Sequence, residues 1–180
     1  MIINGVSLIL MEPIRDMIGH QEEAHGRSWG LTEDGYDFRL KQNVLFSPPI
    51  FKPTTENQYF GCTQVWEDDD ENDVPGVVTT GRTALASSIE YFQIPKSLSC
   101  RFSNKSKNAR DFFDASITTG AKPGWCGYLT IELVFHGMKD IYLPAGTPIL
   151  SATFQEIKEI SQYDGTFQNQ PDRPIGSSGF

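Results

Sequence analysis

The chain is poor in cysteine, in histidine and in positive charge. Its 180 residues hold three Cys, three His and 15 Lys and Arg against 23 Asp and Glu, a formal net charge of −8. Cys62, Cys100 and Cys126 are odd in number and far apart. No disulfide framework is expected from them, and a reducing, cytoplasmic setting fits. No stretch approaches the roughly 18 apolar residues of a membrane helix, so no membrane partner is expected. The opening MIINGVSLILMEP has neither a basic lead nor a small-residue cleavage site, and no secretory signal is expected. The acidic balance argues against a nucleic-acid surface, because such affinity rests on neutralising phosphates. It leaves room for one small anionic ligand in a local basic pocket.

Familiar catalytic machinery is absent too. There is no phosphate-cradling Walker loop, no dinucleotide fingerprint and no Gly-x-Ser-x-Gly elbow. His20, His25 and His136 stand near no Pro-Cys-x-x-Cys pair, so hydrolysis here is expected to run without zinc-bound water.

What is present is a succession of short apolar runs separated by Gly, Pro, Asn and Asp. They are Tyr36–Leu40, Val44–Phe46, Gln64–Trp66, Gly76–Thr79, Ile89–Ile94, Leu98–Phe102, Gly127–Phe135, Ile141–Leu143 and Ile149–Gln155. Closely spaced strands of this kind predict an all-β barrel or sandwich, with no strand–helix alternation. RTALASSIEYF has helical propensity that competes with a strand. The first twenty-five residues read as a strand and then a helical turn or two. The acidic run EDDDEND (67–73) reads as a solvated loop. A single domain over 1–162 is followed by a polar tail, 163–180, which is either disordered or a lid that closes over a ligand.

Two stretches carry chemistry. In KPGWCGYLTIEL (122–133) the alternation places Leu129, Ile131, Leu133 and Phe135 on one strand face and Glu132 on the other. A carboxylate in the middle of such a strand needs water, a counter-charge or a ligand. A solvated edge, an ordinary salt bridge and a catalytic group all satisfy that need. In SNKSKNAR (103–110) three cations, a hydroxyl and an amide fall within eight residues. Such a turn suits phosphate, and it also suits an ordinary basic surface loop.

Five segments in order resemble the dCTP deaminase branch of the dUTPase-like superfamily: GLTEDGYDFRL (30–40), TGRTALASSIEYFQIP (80–95), SNKSKNAR, AKPGWCGYLTIEL (121–133) and YDGTFQNQP (163–171). The resemblance implies a distorted antiparallel β-barrel of dUTPase-like or jelly-roll type with few short helices. It also implies a homotrimer with sites between subunits. It puts Glu132 at the general base and acid of metal-free deamination, with Ser106 and Arg110 beside it. It puts Lys105, Lys107, Asn108, Ala109, Lys122, Trp125, Thr130, Tyr163, Thr166 and Gln170 at substrate-contacting positions. The implied partner is a small nucleotide. Mg2+ accompanies the triphosphate through its phosphates, with no protein-bound metal and no zinc. The implied reaction is conversion of dCTP, or a related cytosine deoxynucleotide, to the uracil form and ammonia.

The chain departs from the pattern at named positions. Lys122 replaces an aspartate that handles the sugar and, in dUTPases, activates water; an ammonium accepts no proton. Thr166 replaces a tail lysine, and Phe135 stands where Asn is common. Two alternatives therefore stand beside deamination: dUTPase-like or bifunctional diphosphohydrolysis, and a nucleotide binder without turnover.

Overall fold

The strand set expected from the apolar runs is present, and several elements surround it that the runs did not announce. The computed structural model describes residues 1–46, 64–69, 74–79, 82–137 and 139–177. In chain order the elements are β1 (Ile2–Ile3), α1 (Gly5–Met11), β2 (Gln21–Ala24), β3 (Arg27–Leu31), β4 (Gly35–Arg39), β5 (Asn43–Phe46), β6 (Gln64–Asp69) and β7 (Val74–Thr79). They continue with β8 (Thr83–Gln93), β9 (Leu98–Asn104), α2 (Ser106–Arg110), β10 (Phe113–Asp114), β11 (Gly120–Ala121), β12 (Cys126–Phe135), β13 (Ile141–Leu143) and β14 (Pro148–Glu156).

The fold is mostly β, but the expected antiparallel barrel is not closed. Among the described residues the strands form three hydrogen-bonded sheets. One runs β11-β9-β14-β4-β3-β2 with β1 also on β14, one β10-β12-β8 and one β13-β5-β7-β6. The pairing of β5 with β7 is parallel. A closed barrel needs an unbroken ladder, and the seam between β4 and β8 has only the single bridge Leu40–Ser88. Side chains span the rest of that seam. Arg39 donates to Glu90 through its backbone N–H (2.9 Å) and through Nε (2.8 Å). Gln42 and Ser87 exchange two further bonds.

Local chemistry accounts for the additional elements. α1 buries Leu8 and ends at Glu12, whose left-handed backbone donates to the Leu8 carbonyl before Pro13. β2 and β3 form a hairpin whose turn residues His25 and Gly26 both have positive φ (50° and 68°), as a tight primed turn requires. RTALASSIEYF is strand rather than helix, because β8 pairs with β12 along most of its length. The pairing jumps between Tyr128 and Thr130, so that Ser88, Ile89 and Glu90 stand opposite Leu129 alone. This bulge turns Ile89 outward and lets Ser88 Oγ accept the Leu129 N–H at 2.9 Å.

The acidic run is corrected in part. Glu67, Asp68 and Asp69 belong to β6, opposite Gly76, Pro75 and Val74 of β7, so the ladder extends beyond Trp66. Residues 70–73 lie outside the described residues.

The core sits between the sheets and contains two aromatic groups. Phe38, Phe92 and Phe102 meet edge to face at centroid distances of 5.1, 5.5 and 5.7 Å. Phe46, Phe113 and Phe135 pack at 4.9 to 5.6 Å. Such pairs contribute about 0.5–1.5 kcal/mol each beyond their buried area. Phe135, at the expected Asn position, belongs to this core. Leu129, Ile131 and Leu133 are buried with it, so the inward face of β12 is the one the alternation predicted. Glu132 therefore points the other way.

Candidate active site

Glu132 is half-buried in an open cleft of about 420 Å³, whose walls come from four places. β12 supplies Leu129, Thr130 and Glu132. The segment before it supplies Thr118, Lys122 and Trp125. The tail supplies Tyr163, Phe167, Gln170 and Ile175. Leu85, opposite Glu132 on β8, adds an apolar side. Among the described residues the Glu132 carboxylate accepts one bond, from the Thr118 hydroxyl to Oε2 at 2.6 Å.

The tail reaches the cleft through an ordered set of bonds to its own chain. Tyr163 N–H donates to the Pro123 carbonyl at 2.7 Å and Asn169 N–H to the Cys126 carbonyl at 2.9 Å. The Trp125 indole donates to the Phe167 carbonyl at 2.6 Å, and the Cys126 N–H to Gln168 Oε1 at 3.1 Å. Gln170 pairs with Gly127 as an isolated parallel bridge, and its carbonyl accepts the Tyr128 N–H at 3.1 Å. Further along, Ile175 N–H donates to Thr130 Oγ1 at 3.1 Å. Thr130 is thus held by the tail on the same strand face that carries Glu132.

Of the residues expected to contact substrate, Lys122, Trp125, Thr130, Tyr163 and Gln170 line this cleft with Glu132. Lys122 is exposed, its Nζ 5.9 Å from the Tyr163 ring centroid. Thr166 is exposed on the tail and does not line the cleft.

Residues 105–110 do not line it either. They form α2 and its cap, docked against β3, β4 and β14. Lys105 is ion-paired with Asp37, a nearly buried carboxylate that also accepts the Ser151 hydroxyl. Asn108 is fully buried; its Nδ2 donates to the Ile149 carbonyl at 2.6 Å and its Oδ1 accepts from Arg27 Nε at 2.9 Å. Lys107 Nζ donates to the Gly26 carbonyl at 2.8 Å. Ala109 is exposed. Ser106 and Arg110 are exposed as well, four residues apart on a helix and hence on one face. The basic stretch is therefore divided. Lys105, Lys107 and Asn108 fasten it to the protein, and Ser106 and Arg110 are presented outward.

The Asp-Phe-Arg-Leu segment has a structural role. Asp37 takes Lys105, and Arg39 takes Glu90 while its guanidinium carbon lies 3.4 Å from the Trp29 ring centroid. Sequence reasoning passed over Thr118, Leu85, Phe167 and Ile175. Thr118 lies in an irregular segment with no periodicity to mark it. Among the described residues no three His, Cys, Asp or Glu side chains converge as a metal would need. Among them, too, no helix is long and apolar enough to cross a membrane.

Comparison with known proteins identifies the family of the chain. A dCTP deaminase of Roseiflexus castenholzii is 31% identical over 149 residues, covering 79% of this chain and 78% of the relative. One of Chloroflexus aggregans is 31% identical over 121 residues, covering 67% of this chain and 62% of its own length. The crystal structure of 2'-deoxycytidine 5'-triphosphate deaminase from Agrobacterium tumefaciens superposes with a TM-score of 0.51 at 14% identity, over 86% of this chain and 48% of that one, which speaks to fold alone. The family model described as dCTP deaminase-like matches residues 12–157, from the end of α1 through β14 and so through the strand that carries Glu132. This chain belongs to the dCTP deaminase-like family, whose named relatives are enzymes.

Proposed function

We propose that the protein hydrolytically deaminates a cytosine deoxynucleotide, dCTP in the first instance, to the uracil nucleotide and ammonia, with Glu132 as the proton carrier. One observation carries this reading. In a member of this family, the carboxylate in the middle of β12 faces a cleft large enough for a base, with largely apolar walls and, among the described residues, without a basic side chain bonded to it.

Deamination asks for proton transfers at one centre. Water loses a proton as it adds to C4 of the base, N3 gains one, and the departing amine gains another. A single carboxylate within hydrogen-bond reach can serve all of them. The attacking oxygen develops negative charge, which a guanidinium would stabilise. Arg110 is the family's guanidinium, and it is presented on α2, outside the cleft of its own chain. The reading therefore includes a homotrimer in which Ser106 and Arg110 of one copy complete the cleft of the next. Tail residues 163–177 then serve as the lid.

Lys122 is read as a contact to an anionic part of the substrate. It cannot replace the water-activating carboxylate of a dUTPase, which sets diphosphohydrolysis behind deamination. Mg2+ belongs with the nucleotide's phosphates and lowers their charge; no protein carboxylate is assigned to it.

The test is a product assay with Mg2+ and dCTP, CTP, dCMP, 5-substituted dCTP and dUTP in turn. Ammonia released from a cytosine nucleotide, and lost in Glu132→Gln, is the expected result. Pyrophosphate without ammonia, or binding with neither product, overturns it.

A further inference from the structure

A carboxylate has two oxygens, and this chain occupies one of them. Oε2 of Glu132 accepts the hydroxyl proton of Thr118 at 2.6 Å, and among the described residues no second donor reaches the group. Thr118 is itself held in place. It lies between β10 and β11, in a short segment whose backbone is pinned on both sides. The next carbonyl, of Thr119, accepts the Phe102 N–H at 2.9 Å, and Gly120 and Ala121 pair with Arg101 and Cys100 of β9. Before it, Ala115 is buried, and Ser116 bonds Asp114 through both its N–H and its hydroxyl. The donor is thus fixed independently of the acceptor that it orients.

We propose that Thr118 is a positioning residue. By holding Oε2 it fixes the Glu132 carboxylate so that Oε1 faces the cleft and handles every proton in the reaction. The inference rests on Glu132 being the proton carrier proposed above. An ionised carboxylate only accepts, so the shared proton stays on the Thr118 oxygen and the bond persists while Oε1 works. In the first half-reaction Oε1 takes a proton from water as the C4–O bond forms, and passes it to N3. In the second, Oε1 takes the proton of the new C4 hydroxyl and gives it to the amino group as the C4–N bond breaks. Ammonia leaves, the carbonyl forms, N3 keeps its proton and the carboxylate is regenerated. Without the Thr118 bond the carboxylate turns about its last torsions, and the geometry of both transfers is lost.

Two variants separate this role from a packing role. Thr118→Val keeps the shape and removes the hydroxyl; Thr118→Ser keeps the hydroxyl and removes the methyl. The expected result is a fall in kcat of roughly 10- to 100-fold for Thr118→Val, since small misplacements of a reacting group have effects of that size. KM stays within about twofold, because the change lies in the transition state and not in ground-state binding. Thr118→Ser retains most of kcat. An unchanged kcat in Thr118→Val, or a raised KM with kcat preserved, overturns the proposal. A second readout does not depend on turnover. In 13C spectra of the protein labelled at glutamate carboxyls, the Glu132 resonance (assigned by its loss in Glu132→Gln) is expected to move in Thr118→Val and to return in Thr118→Ser. If the wild-type protein releases no ammonia from any cytosine nucleotide, the deaminase reading fails. The spectra then decide alone whether Thr118 holds the carboxylate, and a resonance that stays put in Thr118→Val overturns that too.

Discussion

Gln170 fastens the tail to Thr130 through a single atom. Its side-chain Oε1 accepts both the backbone N–H and the hydroxyl of Thr130, each at 3.1 Å. Thr130 precedes Glu132 by two residues and shares its strand face, so the tail and the floor of the cleft are one mechanical unit.

Gly127 tests that unit. Its φ of +141° belongs to glycine, and a Cβ there would come within 2.5 Å of the Gln170 backbone nitrogen. Gly127→Ala is expected to undock the tail and to lower stability by about 1–3 kcal/mol, the usual size of such backbone strain. Hydrogen exchange is the measurement: amides of 163–175 gain exchange in Gly127→Ala, and to a lesser degree in Gln170→Ala. Unchanged protection there would show that the tail does not rest on β12.

Lys105 is expected to matter for folding and not for substrate affinity. Its ammonium is the ion-pair partner of Asp37, which is 4% exposed. Removing one partner of a buried pair leaves the other charge uncompensated, at about 3–5 kcal/mol. Lys105→Met should therefore lower the midpoint of chemical denaturation sharply, and adding Asp37→Asn should recover part of the loss. KM should hardly move. A raised KM with unaltered stability would return Lys105 to the substrate.

Glu90 gives stability a pH dependence of unusual sign. Burial raises its carboxyl above the ordinary glutamate value, and the bonds from Arg39 offset this only in part. In the window between about 4.5, the ordinary value, and the raised value of the folded state, the folded chain keeps a proton on Glu90 that the unfolded chain has released. The unfolded state then binds fewer protons, so this group's stabilisation is full below that value and is lost as pH rises through the folded one. Glu90→Gln has no such loss. The difference in Tm, variant minus wild type, should increase as pH rises through the window. A difference that decreases would mean that the Arg39 pairing outweighs burial.

How far the sequence disclosed all this depends on the residue. The inward face of β12 was legible because Leu129, Ile131, Leu133 and Phe135 alternate without a fault. β8 was less so, since Thr83–Ser88 is rich in helix formers and only its partner strand makes it extended. α2 reads as a loop because five polar or small residues carry no period, and its anchor, the bond from Asn108 to Ile149, spans 41 residues. The β2–β3 hairpin escaped because Gln21–Ala24 is exposed or half-exposed and offers no apolar pattern. Resemblance supplied Glu132 and Gln170 as site residues; composition alone did not. Thr118 was out of reach on either ground, because its role exists only through the fold that sets it against Glu132.

The central claim is that Glu132 of one copy and Arg110 of another make one site. Mixing two inactive variants tests it most directly. Glu132→Gln and Arg110→Ala are each expected to release ammonia at a rate at least about 100-fold below wild type. Unfolded together and refolded as a mixture, they should regain activity, because some interfaces then pair an intact Glu132 with an intact Arg110. In a cyclic trimer assembled at random from equal amounts, that is about a quarter of the sites. Recovery to roughly that level is the predicted result. A mixture as inactive as its two components would contradict the account.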